Sequence, residues 1–239
     1  MKLSQFSTLT FDCYGTLIDW EKGLAAGLQV WARRHGLALS DDALISEYGR
    51  VEHEVETAQP GLLYSKVLAQ TLKRMSAART LACADGEAEA FGDSIKDWPA
   101  FPDSREALAY LKNYYKLVIL SNVDRASFAH SNEKLGRVFD AVVTAEDVGS
   151  YKPDPRNFEA VIAAVATLGV PKDKILHTAQ SLFHDIVPGR KAGLVTCWIN
   201  RRAGLKGKGA TPNPEGETPR PDFEFPTMAA LVEAHRQGR

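Results

Sequence analysis

Short apolar runs, each ending on a polar residue, alternate with helix-length segments through most of this chain. This rhythm limits the fold more than any other feature. The runs lie at residues 6–11, 116–120, 141–144, 175–179, 195–199 and 223–225, and helical patterns occupy 104–115, 128–135, 157–168, 185–192 and the stretch from Met228 onward. Parallel strands need a crossover between them, and the crossover helices cover both faces of the sheet. The predicted fold is therefore α/β, a Rossmann-like parallel sheet with helices on both faces.

The rhythm breaks once. Between Trp20 and Trp98 the apolar positions (Leu24, Leu28 and Trp31, then 44–55, then 62–75) recur at helical spacing, and Ser40-Asp41-Asp42 is a helix-start signal. No strand pattern interrupts them. Residues 20–98 are thus expected to form a helical insertion, with 1–19 and 99–239 as the α/β core. A chain of 239 residues can hold one core with such an insertion.

Charge excludes some classes of partner. Lys and Arg number 29 against 30 Asp and Glu, without the concentrated basic face that nucleic acid or an anionic membrane requires. Arg201, Arg202, Lys206 and Lys208 form the one basic cluster, expected as a solvated loop, and the Gly- and Pro-rich segment from Gly204 to Pro221 is expected at the surface. Cys13, Cys83 and Cys197 show neither zinc nor disulfide spacing, and no run reaches signal-peptide or membrane-spanning length. The expectation is a cytoplasmic protein acting on a small molecule, with a homodimer as a candidate assembly.

Ligands of an open parallel sheet sit beyond the carboxyl ends of its strands. There the sequence puts Asp12, Ser121-Asn122, Lys152, and Gln180-Ser181 with Asp185. Taken singly, each has a plainer reading. Asp12 and Ser121-Asn122 suit turns, Lys152 before Pro153 suits solvent, and Asp185 suits a helix cap. Together, in this order and at one sheet end, they predict a shared crevice.

The stretches FDCYGTLIDW, ILSNVD, YKPDPRNF and SLFHDIVPGRKAGLVTCWINRR resemble the four motifs of the haloacid dehalogenase superfamily, and the resemblance spans essentially the whole chain. It implies that Asp12 is a nucleophile, that Ser121 and Lys152 orient and neutralise charge, that Asp185 supports hydrolysis, and that residues 20–98 form a cap. Most members are magnesium-dependent phosphatases with a second Asp two residues after the first. Here that position is Tyr14, and Gln180 replaces the first acid of the fourth motif, which weakens a site for Mg²⁺.

The form Asp12-Cys13-Tyr14-Gly15-Thr16 resembles instead the L-2-haloacid dehalogenase branch, as does the closing TCWINR. That branch implies a metal-independent, cofactor-free hydrolysis of short 2-haloacids through an aspartyl ester. By the same resemblance Asn122 contacts halide, and Arg50 is the best match to a halide-binding arginine of the cap. Tyr14, Thr16 and Ser181 join the substrate side. The fourth motif departs from the branch, so His184, and less directly His177, become candidates for preparing water. Phe158 stands where the branch often has Tyr. Two other readings stay open: a phosphatase or phosphonatase-like hydrolase with an altered metal site, and a catalytically silent small-anion-binding protein.

Overall fold

The computed structural model describes residues 1–204, 211 and 220–238. Its strands are β1 (Thr8–Phe11), β2 (Lys116–Ser121), β3 (Ala141–Thr144), β4 (Ile175–Ala179), β5 (Val195–Ile199) and β6 (Phe223–Phe225). All pair in parallel, in the order β3-β2-β1-β4-β5-β6. The order changes direction between β1 and β4, and at such a switch point a crevice opens above the strand ends. Asp12, directly after β1, and Gln180, directly after β4, therefore flank the crevice.

Four helices follow β1: α1 (Trp20–Arg34), α2 (Asp41–Ala58), α3 (Tyr64–Ala77) and α4 (Asp85–Asp93). The core continues with α5 (Ser104–Leu111), α6 (Arg125–Lys134), α7 (Ala145–Val148), α8 (Pro155–Thr167), α9 (Val187–Lys191) and α10 (Met228–Arg236). Ser40 caps α2 by accepting from the Ala43 amide, as its start signal predicts. The expected 104–115 helix ends early, at Leu111. Among the described residues no helix is long and apolar enough to cross a membrane.

Both faces of the sheet are covered. Leu117 and Ile119 of β2 join the larger apolar cluster, while Val118 and Leu120 join a second one with Phe158, Val161 and Val165 of α8. The polar residues of β1 are buried as well. Thr8 and Thr10 are fully buried, and the Thr10 hydroxyl bonds to His177 Nδ1 at 2.9 Å.

Two expectations change. Arg201 is not solvated: it pairs with Asp103 at 2.9 Å, lies 4.1 Å over the Phe101 ring and donates to the Thr16 carbonyl. Arg202 pairs with Glu21 at 2.5 Å. Short acidic partners from distant segments, invisible in local composition, hold both. Lys206 and Lys208, and most of the segment from Gly204 to Pro221, lie outside the described residues.

Candidate active site

Lys152 organises the crevice. It is 2% exposed, not solvated, and its ammonium donates to Asp12 Oδ1 at 2.9 Å, Asp185 Oδ1 at 2.7 Å and the Leu120 carbonyl at 3.0 Å. Those three bonds use all its N–H groups. Burial disfavours its charge, yet the two carboxylates outweigh burial and raise its pKa. The other Asp12 oxygen accepts from Thr16 Oγ1 at 2.7 Å, and Thr16 in turn accepts from the Gln180 amide at 2.9 Å. Burial raises the Asp12 carboxyl above the usual range, Lys152 pulls against it, and Asp185 adds to it.

Asp185 is not a helix cap. The helix expected from 185 starts a turn earlier, with a π-helical turn over Leu182–Ile186 capped by Ser181, whose side chain accepts from the His184 amide. Asp185 consequently points into the cleft. Burial opposes its charge, but Lys152 and His177 prevail and hold its carboxyl below the usual range. His177 Nε2 lies 3.1 Å from Asp185 Oδ1, while Asp185 Oδ2 is buried without a hydrogen-bond partner among the described residues. Phe158 packs edge-on against His177 at 5.5 Å and is fully buried beneath the site.

The two histidines make different contacts. His177, not His184, touches Asp185. His184 lines the cleft with Nδ1 3.2 Å from Ser181 Oγ, and burial lowers its pKa to about 4, so the ring is neutral near pH 7.

Asn122 also lines the cleft. Its Nδ2 donates to the Lys152 carbonyl at 3.1 Å and its Oδ1 accepts from the Lys152 amide at 2.7 Å, which fixes the lysine's backbone. Ser121 is buried at the end of β2, and among the described residues its hydroxyl has no partner. Tyr14 reaches the cleft, stacks on Tyr64 and shares a 3.0 Å hydrogen bond with Ser131.

Arg50 does not join this group. Its side chain is 63% exposed and pairs with Glu54 at 2.5 Å. The helical layer instead brings Trp20, Glu52, Glu56 and Tyr64 to the cleft, none of them among the residues expected from sequence. The space enclosed in the cleft is about 60 Å³, and it opens to solvent at its mouth.

The donor set does not suit magnesium. Asp12 and Asp185 are bridged by an ammonium, and among the described residues no group of three His, Cys, Asp or Glu could hold a metal.

Comparison with known proteins agrees with this architecture. The chain is 26% identical over 222 residues to (S)-2-haloacid dehalogenase H-109 of Pseudomonas putida, covering 87% of this chain and 92% of that protein. The structure of an L-2-haloacid dehalogenase from Xanthobacter autotrophicus with chloropropionic acid covalently bound superposes with a TM-score of 0.77 at 19% identity, covering 97% and 98% of the two chains. A defluorinating L-2-haloacid dehalogenase gives the same TM-score and identity over 98% of each chain. The family description "haloacid dehalogenase-like hydrolase" matches residues 6–193, and the chain belongs to that family of hydrolases.

Proposed function

We propose that this hydrolase is a metal-independent dehalogenase of short 2-haloacids, with residues 20–98 acting as a cap over the core. One observation carries the reading: a buried ammonium spans Asp12 and Asp185 while Thr16 holds the second Asp12 oxygen. Asp12 is thereby oriented as a carboxylate and needs no metal to hold it.

An Asp12 oxygen attacks the halogen-bearing carbon, the carbon–oxygen bond forms, and halide departs with the bonding electron pair. Halide leaves without a proton. This fits a site whose Tyr14, where a phosphatase would carry its second Asp, is tied to Ser131. Water then attacks the carbonyl carbon of the Asp12 ester. Its acyl–oxygen bond breaks, giving the 2-hydroxy acid, a proton and free Asp12. Asp185, with Oδ2 open as an acceptor and His177 behind Oδ1, is placed to hold that water. Asn122 is the amide nearest the role of halide donor, and Ser121 supplies a free hydroxyl below it.

Asp12→Asn should remove turnover by several powers of ten, since an amide is a poor nucleophile. Halide release from 2-chloropropionate is measured with chelator present, and mass spectrometry excludes reversion by deamidation. Near-parental turnover by the intact amide would end this reading.

A further inference from the structure

The wall facing Asp12 is acidic. Glu52 and Glu56 stand one turn apart on α2 and line the cleft with Asp12, Lys152 and Asp185. Glu52 is held in place: its Oε1 accepts from Tyr48 Oη at 2.8 Å and Tyr64 Oη at 2.7 Å. Glu56 is 8% exposed, and among the described residues its carboxyl has no hydrogen-bond or ion-pair partner. A buried carboxylate is strongly disfavoured unless something supplies donors or charge. Lys152 lends charge from a distance but no donor, because all three of its N–H bonds are taken.

We propose that Glu56, backed by Glu52, is the subsite for a cationic group of the substrate, so that the compound taken is a 2-haloacid or 2-haloacyl amide that also carries an ammonium. The reacting end of that compound rests on the dehalogenase reading. The cation subsite rests on the cleft alone. An anionic haloacid without a cation brings the Glu52–Glu56 pair neither donors nor opposite charge, whereas an ammonium gives Glu56 its missing donors and offsets one charge.

The groups facing the pair are Tyr48 on α2, Tyr64 on α3, and Asp12, Lys152, His184, Asp185 and Tyr151 from the core. Burial pushes Glu52 up to about 7, and burial with Glu52 beside it raises Glu56 well above the usual range, against the pull of Lys152. A proton resides on this pair near neutral pH, and an arriving cation displaces it.

The test uses unreactive probes on the full chain: acetate, acetamide and N-acetylethylenediamine, titrated by calorimetry in two buffers of different ionisation enthalpy. The ammonium probe should bind about tenfold or more tighter than acetate and release a proton, as expected for a charge pair made out of water. Glu56→Gln should remove that preference and the proton release while acetamide binding stays unchanged. Glu56→Arg should turn the preference toward acetate. Circular dichroism confirms that each variant is folded. Acetate binding as tightly as the ammonium probe, or cation binding and proton release that survive Glu56→Gln, would overturn the proposal. Halide release is followed separately, from chloroacetate and from N-(2-aminoethyl)-2-chloroacetamide. Probe binding without any halide release would sink the dehalogenase reading and leave the subsite standing. Chloroacetate turnover without ammonium-probe binding would do the reverse.

Discussion

At the scale of single residues, Lys152 is where structure and chemistry meet. Its charge offsets two buried carboxylates, so removing it does more than slow a reaction. Lys152→Met should abolish turnover and cost about 3–5 kcal/mol of stability, the usual result of leaving buried charge unpaired. In the variant, the Asp12 and Asp185 carboxyls lose their cation and their folded pKa values rise. A raised carboxyl contributes stability that is present at low pH and lost as pH rises, so the variant should melt closest to the parent in acid. Denaturant melts at acid and neutral pH check this, and an unchanged neutral midpoint would refute the pairing. Asp12, Ser121, Lys152 and Asp185 were legible in the sequence because strand ends are easy to find and a parallel sheet gathers them. The burial of Lys152 was not legible, since its partners lie 140 and 33 positions away. His177 is nearly invisible in the sequence for the same reason: its register opposite Thr10 and its contact with Asp185 arise only in the folded sheet.

At the scale of elements, α2 is the instructive one. Its helical pattern is plain in the sequence, yet the residue it turns into the cleft is not Arg50. Tyr48, Glu52 and Glu56 fall at i, i+4 and i+8 on the inward face, whereas Arg50 lies roughly 200° around the helix from Glu52. The family's cap arginine drew attention to Arg50. The signal that could have corrected this was phase, because Leu44, Tyr48, Val51 and Val55 mark the buried side. The helix α4 carries little signal in the sequence, since it buries only Ala88, Phe91 and Gly92 and no side chain caps its start. It packs so closely that a Cβ on Gly92 would come within 2.3 Å of the Ser65 carbonyl. The inward face of α2 also makes a pH prediction. Burial pushes the Glu52 carboxyl from 4.5 to about 7, so its stabilisation is complete below 4.5 and is lost as pH rises through 7. The parent should lose up to about 3 kcal/mol over that interval. Glu52→Gln should flatten the curve, as read from urea midpoints across the range, and an equally steep fall in the variant would assign the slope to other groups.

At the scale of the whole molecule, the helical layer is joined to the sheet by two chain segments that run side by side. The Asp19 amide donates to the Pro99 carbonyl at 2.8 Å, the Phe101 amide to the Leu17 carbonyl at 3.0 Å, and Ile18 bridges Ala100 in antiparallel fashion. Ser104 Oγ adds a bond to Leu17 O at 2.8 Å. Paired connections of this kind suit rigid-body motion of one layer over the other, with the φ/ψ change confined to a few residues. Lys134 of α6 clasps the return segment, donating to the carbonyls of Lys96 and Trp98, the latter at 2.7 Å, and burial lowers its amine pKa. It lies outside the cleft lining, so its loss should act on the joint and not on the chemistry. Lys134→Met should lower stability by about 1 kcal/mol, or roughly 2–4 °C in a chain of this size. Proteolysis within 96–101 should quicken because freed carbonyls let the segment open locally. Halide release at saturating substrate should stay within about twofold of the parent, since no group at the reacting carbon is touched. Mapping cleavage products by mass spectrometry separates the outcomes. A lower melting temperature with unchanged cleavage in that window would mean that Lys134 steadies α6 itself, and the paired segments would then not be the joint on which the layers move.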